Sequence, residues 1–362
     1  MSGWSLFLAY IFTAAACLAG STNYAGVILG SLFNIQVGLG LGIVVMLGTL
    51  VLCWSIAWQD VQLSTRAMLI LEFAAVGLIL ILAGGYFLHT GHVADPVQAA
   101  ATGMSSQGLR MALVLALFSF VGFESATALG DEAKNPLQAI PKSVLYSVLA
   151  VGVFFTLMAY VLVLAFRGAG LPLDKATSPL VDLANIAGLP KLGLPLAIGA
   201  MVGQFACALA SINAAARVMY SMAHHGFFHR SAVKVHQTHA TPHVAVTVSA
   251  VAVGIMPLAL LLHRTAVMDI FGYLGSVATF GFLMSYVLVS VAAPIYLRGR
   301  GELKLTGILT SFIALVLLAI PIIGSVYPVP DAPYNYLPYV FLVLIAAGAV
   351  RVFVVGRVRV SL

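Results

Sequence analysis

Ten stretches of this chain run for about twenty residues or more with almost no charge. The first, WSLFLAYIFTAAACLAGSTNYAGVILGS, occupies residues 4–31, and the others fall at 37–57, 67–88, 109–129, 143–166, 194–222, 243–262, 268–296, 305–326 and 336–355. About 20 apolar residues in a helix are what a hydrocarbon core of ~30 Å demands. The chain is 62% hydrophobic and 8% charged, against roughly a quarter charged in an ordinary soluble domain. No soluble arrangement hides that much apolar surface. The expected class is therefore an all-α polytopic membrane protein with about ten transmembrane helices, forming one domain over 1–362 and no separate soluble unit.

Turn chemistry separates the spans: AWQDVQLSTR after the second, HTGHVADP after the third and GAGLPLDKATSP after the fifth. The span from Leu194 continues into RVMYSMAHHGFFHR, so its helix is expected to leave the membrane and stop near Gly226. An even number of spans puts both termini on one side. With the N-terminus inside, twelve of the 17 basic residues fall on the cytoplasmic side, which orients both ends toward the cytoplasm of a cell membrane. The net charge of +6 is thus explained by orientation in the bilayer, and no nucleic-acid partner is expected. Cys17, Cys53 and Cys207 all lie in apolar runs, without metal-ligand spacing or a disulfide framework. The pairs Gly26/Gly30, Gly38/Gly42 and Gly199/Gly203 have the spacing that lets helices approach closely. The first span lacks a basic segment before it and is too long for a signal peptide, so it is read as mature chain.

The stretch FSFVGFESATALGDEAKNPLQAIP (118–141) breaks the pattern. A carboxylate inside the bilayer costs at least ~2.5–3.5 kcal/mol, so Glu124 must face a cavity or a partner. Gly122 and the small residues Ser119, Ser125, Ala126 and Thr127 loosen the helix where backbone groups could serve a ligand. Broken transporter helices present such groups to substrates and cations. A Ser or Tyr on a neighbouring helix is the other partner that would satisfy Glu124. Beyond it, Asp131, Glu132, Lys134 and Asn135-Pro136 form a turn, with Pro141 near the start of the next helix.

That stretch, continuing into KSV, resembles the sixth transmembrane helix and following loop of the amino acid–polyamine–organocation (APC) permeases. The shared features are an aromatic, a Gly-Phe-Glu element and an E-x-x-N-P-x-x-x-I-P tail. ALASINAAARVMYSMAHHGFFHR, with its later Thr-Pro, is similar to the family's eighth helix, with His225 where an Asp is usual. YIFTAAACLAGSTNYAG fits the third helix more loosely. The resemblance implies a LeuT-like fold of two inverted repeats plus two peripheral helices. It would assign 1–88 to the first repeat, 109–296 to the second and 305–355 to the peripheral pair. It also implies that the chain starts at the third helix, leaving the fold incomplete at its N-terminus and without a G-S-G-I-F-like element. By the same resemblance, Phe118 is a gating aromatic over the substrate. Ser119, Val121, Gly122 and Phe123 belong to the unwound substrate-binding segment, and Ala16, Cys17 and Gly20 line the pocket from the third helix. Glu124 matches a carboxylate implicated in proton response, and Glu72 lies in the region where sodium sits in relatives.

The function implied is secondary active transport of an amino acid or related amine by alternating access, coupled to a proton or sodium or running as an exchanger. A permease remnant without activity and a membrane amino-acid sensor of the same fold are the other readings. Glu72 would be the second proton-coupling acid, or else a hydrogen-bonded acid near the helix end. The histidines crowding 224–243 include the i,i+4 pair His225 and His229, but no Cys or carboxylate accompanies them and no metal is expected. The chain has no G-x-S-x-G, H-E-x-x-H or P-loop motif. Neither enzyme activity nor a cofactor is expected.

Overall fold

A computed structural model describes residues 1–59, 62–100, 105–125, 134–236 and 241–360. Each of the ten apolar stretches holds one long helix, the fourth only as far as Phe120: α1 (Ser2–Phe33), α2 (Leu39–Gln59), α3 (Gln62–Thr90), α5 (Ser106–Phe120), α6 (Pro136–Gly168), α8 (Gly193–His224), α9 (His243–Leu262), α10 (Val267–Gly299), α11 (Leu305–Gly324) and α12 (Leu337–Val360). Among the described residues, eight helices are long and apolar enough to cross a membrane, and shorter apolar stretches occupy Ala112–Ser125 and Leu337–Val352. The polytopic all-α class expected from hydropathy is what the chain forms.

Two short helices were not anticipated. α4 (Pro96–Ala99) and α7 (Pro179–Ile186) each begin with Pro directly after a capping residue, Asp95 and Ser178. Proline suits the first helical position because its missing N–H would be unpaired there anyway. α8 runs 32 residues, ~48 Å at 1.5 Å per residue, longer than a bilayer core. It ends where expected, with Gly226 at φ +78° and its N–H on the Ala223 carbonyl.

α1 is the axis of the bundle. In its apolar core 83% of residues are buried, against 11–44% in the other crossing helices. Small residues make this possible: Ala9, Ala14, Ala15, Ala16 and Ala19 are all nearly inaccessible and let α8, α10, α9 and α2 close around the helix. One close backbone approach is to α10. A Cβ on Gly281 would lie 2.8 Å from the Ala9 Cβ and 3.0 Å from the Ser5 carbonyl. There the Ser5 hydroxyl donates to the Gly281 carbonyl at 2.8 Å and Ser285 donates to the Ser2 carbonyl at 3.0 Å. Among the Gly pairs, Gly199 and Gly203 both face α3: their added Cβ atoms would lie 3.2 Å from Ala75 and 3.5 Å from Glu72.

A second apolar cluster joins the C-terminal half of α3 (Leu82, Ala83, Tyr86) to α6, α7 and Leu196. At its edge, Arg167 of α6 donates to Asp95 at 2.7 Å. Many large apolar side chains point outward, Phe73, Leu88, Ile295 and Leu317 among them. In water this would be untenable; in lipid it is the expected outer face.

Candidate functional site

α5 stops at Phe120, nine residues before its apolar stretch ends. Val121 turns extended (ψ 155°) and Gly122 adopts φ +112°, a conformation that a side chain would strain. The break frees backbone polar groups inside an apolar layer, and the next three residues satisfy them. The Gly122 N–H donates to Glu124 Oε2 at 3.0 Å. Ser125 donates twice to the Gly122 carbonyl, from its hydroxyl at 2.6 Å and its N–H at 3.0 Å. Ala126, Thr127, Asp131 and Glu132 lie outside the described residues.

Glu124 is also tied to two other helices. Tyr10 of α1 donates its hydroxyl to Oε1 at 3.0 Å, and Tyr286 of α10 donates to Oε2 at 2.6 Å. Around them is an aromatic nest. Phe123 stacks on Tyr286 with centroids 5.5 Å apart, and Tyr10 meets Phe282 edge-on at 5.5 Å. The half-buried carboxylate thus joins the break in α5 to α1 and α10 through hydrogen bonds from three segments.

One turn before the break, the Phe118 ring lies against α10. It meets Phe271 in a T-shape at 5.7 Å and covers Gly275, where a Cβ would come within 2.8 Å of the ring. Ser119 is exposed, while Val121 and Gly122 are half-buried. The structure therefore gathers Phe118, Val121, Gly122, Phe123 and Glu124 on the broken end of α5 and against α10.

Ala16, Cys17 and Gly20 are placed elsewhere. They follow Tyr10 by six to ten residues, ~9–15 Å along α1 at 1.5 Å per residue, and face the α8 side. Ala16 and Cys17 are buried, and Gly20 gives room to Gln204, whose side chain would lie 2.8 Å from a Cβ there. The Gln204 amide oxygen is buried without a protein partner. Glu72 stands on α3 against Gly203, beside that second group rather than in the Tyr10–Glu124–Tyr286 junction. Sequence reasoning missed Tyr10, Tyr286 and Gln204. The available signal was a polar tip inside an apolar helix, which needs a partner when buried.

The histidines after α8 are dispersed. His229 accepts from the Ser231 N–H at 3.2 Å, and His236 sits on Trp58 and His243 at 4.7 and 5.7 Å; His239 lies outside the described residues. Among the described residues no group of three or more His, Cys, Asp or Glu is placed to hold a metal ion.

A break in mid-helix, a carboxylate at the break and small-residue packing are features of transport proteins, and comparison with known families gives the same direction. The amino acid permease family matches residues 1–350. The chain belongs to the amino acid permease family. Among curated relatives of this family member, the branched-chain amino acid permease BcaP of Bacillus subtilis is 26% identical over 83% of this chain and 64% of its own length. The vacuolar cationic amino acid transporter 4 of Arabidopsis thaliana is 26% identical over 80% of this chain and 48% of its own. The methylthioribose transporter of Bacillus subtilis is 23% identical over 98% of this chain and 75% of its own. The chain spans less than two thirds of the length of the first two. Membership makes it a multi-pass membrane protein of an amino acid transport family.

Proposed function

We propose that this family member is a secondary active transporter of an amino acid or related amine, working by alternating access with proton coupling or exchange. The observation that carries the reading is the Glu124 junction: a titratable group at a helix break, bonded to α1 and α10 at once. Substrate engages the break at Val121–Phe123 together with Ser119, which the structure keeps in the last turn of α5 rather than in the unwound segment, and Phe118 closes over it from α5. Proton uptake by Glu124 releases one of its tyrosine donors and frees the broken helix to move against α1 and α10. Glu72, on α3 beside Gly203, is the second acid able to respond to a coupling ion, a proton or sodium. The division into a first repeat (1–88), a second repeat (109–296) and two peripheral helices (305–355) belongs to the same reading. So do a cytoplasmic membrane location and cytoplasmic termini.

Relatives named for branched-chain and for cationic amino acids set the first substrates to try. Purified protein in liposomes preloaded with each amino acid is offered trace label outside. Accumulation of label by counterflow is the result expected of a transporter. Saturable binding without exchange identifies a sensor instead and overturns the proposal, as does the absence of both.

A further inference from the structure

The turn between α10 and α11 carries three cations in the seven residues RGRGELK: Arg298, Arg300 and Lys304. Its backbone is fixed. The Glu302 N–H donates to the Leu297 carbonyl at 3.0 Å and the Gly301 N–H to the Arg298 carbonyl at 3.1 Å, with Gly301 at φ +71°. This pair of bonds ends a helix in one set conformation. Leu297 faces α11, its Cδ1 3.7 Å from where a Cβ on Gly307 would lie. The three cationic side chains are exposed, and among the described residues none of them forms an ion pair. Glu302 is the single carboxylate between Ile295 and Phe312, so three cations against one acid leave the turn at +2.

The surface beside the turn is apolar. Arg298 follows Ile295 by three residues and Arg300 follows Tyr296 by four, which sets each cation over an outward side chain of α10. Ile295 is 68% exposed and Tyr296 60%. The Arg300 guanidinium carbon stands 4.9 Å from the Tyr296 ring centroid, a stacking that holds the group in place and leaves its edge donors open. Directly after Lys304, the exposed side chains Leu305, Ile308, Leu309 and Phe312 recur at helical spacing on α11. A cationic turn at the head of a lipid-facing stripe meets headgroups at its own level and acyl chains below.

We propose that the α10–α11 turn is a binding site for an anionic phospholipid. Arg298, Arg300 and Lys304 hold the phosphate, and an acyl chain lies along the Leu305–Phe312 stripe for ~10 Å. A headgroup without a cation of its own, such as phosphoglycerol, fits the +2 turn, whereas a choline headgroup brings a quaternary ammonium that the turn repels. Arg298 lies twelve residues beyond Tyr286 on α10, ~18 Å along the helix, so the site is separate from the Glu124 junction and does not rest on the transport reading.

The probe is an equimolar mixture of dioleoyl phosphatidylglycerol and dioleoyl phosphatidylcholine, added to the purified full chain in detergent. Retained lipid is counted by native mass spectrometry. Each cation near an anionic headgroup contributes about a fivefold factor, so phosphatidylglycerol should be retained at least about tenfold over phosphatidylcholine. Arg298→Gln/Arg300→Gln/Lys304→Gln protein should lose the preference. Lys142→Gln/Arg230→Gln/Lys234→Gln protein, which loses three exposed cations elsewhere, should keep it. Phe312→Ala should lower lipid retention, and excess inorganic phosphate, having no acyl chain, should displace none. The substituted side chains are all exposed, and helix content by circular dichroism with a single gel-filtration peak establishes that each variant is folded. Equal retention of the two lipids by the unsubstituted protein overturns the proposal. So do a preference that survives loss of the three turn cations, a preference lost equally in the control variant, and displacement of lipid by phosphate, which marks a site for a free anion.

Discussion

Glu124 is the residue at which charge, backbone and packing meet, and its three donors make separable predictions. Tyr286→Phe removes the shorter tyrosine bond without changing shape. A hydrogen bond to a charged group contributes about 1.5–3 kcal/mol, so the variant should unfold at lower temperature in detergent. In a Glu124→Gln background the same change should cost less, because the carboxamide offers one acceptor oxygen instead of two. Equal losses in both backgrounds would show that the 2.6 Å contact contributes nothing. Glu124→Gln also fixes the group as neutral at every pH. If the proposed proton role holds, this variant binds substrate but its uptake no longer varies with pH, whereas Phe118→Ala weakens binding and keeps the pH profile. An unchanged profile in Glu124→Gln leaves Glu124 as a structural acid bonded to its neighbours. The acid was legible in the sequence because a charge inside an apolar run is costly. Its partners were not: Tyr10 and Tyr286 stand 114 and 162 residues away, and which tyrosine meets which acid depends on helix packing.

At the scale of helices, small residues decide which faces meet. Gly281→Ala would drive a methyl into the α1 backbone at Ser5 and Ala9, and overpacking of that kind costs about 1–3 kcal/mol. Gly84→Ala in α3 has nothing within 4 Å of the added carbon and should be neutral or slightly stabilising. A thermal melt of the two variants checks the contrast; equal melting temperatures would contradict the tight α1–α10 contact. The tie between the loop after α3 and the end of α6 predicts a pH dependence. Burial pushes the Asp95 carboxyl up, but the Gln98 side chain, the Gln98 and Val97 N–H groups and Arg167 outweigh it and hold the carboxyl below its ordinary value. A depressed folded-state value means stability present above the unfolded value, ~3.9, and lost as pH falls through the folded one. Asp95→Asn should therefore melt below the parent at neutral pH, with the gap closing as pH drops under the ordinary carboxylate range. A gap that stays constant into acid would remove the carboxylate from the account. Helix extents were legible because lipid requires long apolar runs. α4 and α7 were passed over inside loops, although Asp95-Pro96 and Ser178-Pro179 carried their start signals, because four and eight residues are too few for a periodic pattern.

For the whole molecule, two surfaces govern behaviour: an inner one around α1, built from alanine and glycine, and an outer one of exposed Leu, Ile, Val and Phe. The outer surface fixes the bilayer as the solvent, and hydropathy alone foretold it. The inner arrangement was less legible, since nothing in the apolar run of α1 distinguishes a helix buried on all sides from one that faces lipid. Its alanines gave the hint that close packing later explained. Which end of the bundle faces the cytoplasm depends on neither surface, only on the charge at the loops. Twelve of 17 basic residues fall on one side when the ten stretches alternate, and a Lys/Arg excess is retained inside. In a background with the native cysteines replaced, Gln138→Cys, exposed at the start of α6, should react with an impermeant maleimide only when the cytoplasmic side is accessible. His92→Cys, exposed in the loop after α3, should react only from outside. Alternation of the apolar stretches would put the two sites on opposite sides of the membrane, so the two results must invert together. Labelling of both from one side would contradict the crossing of α5. The reverse pattern would keep the fold and overturn the orientation.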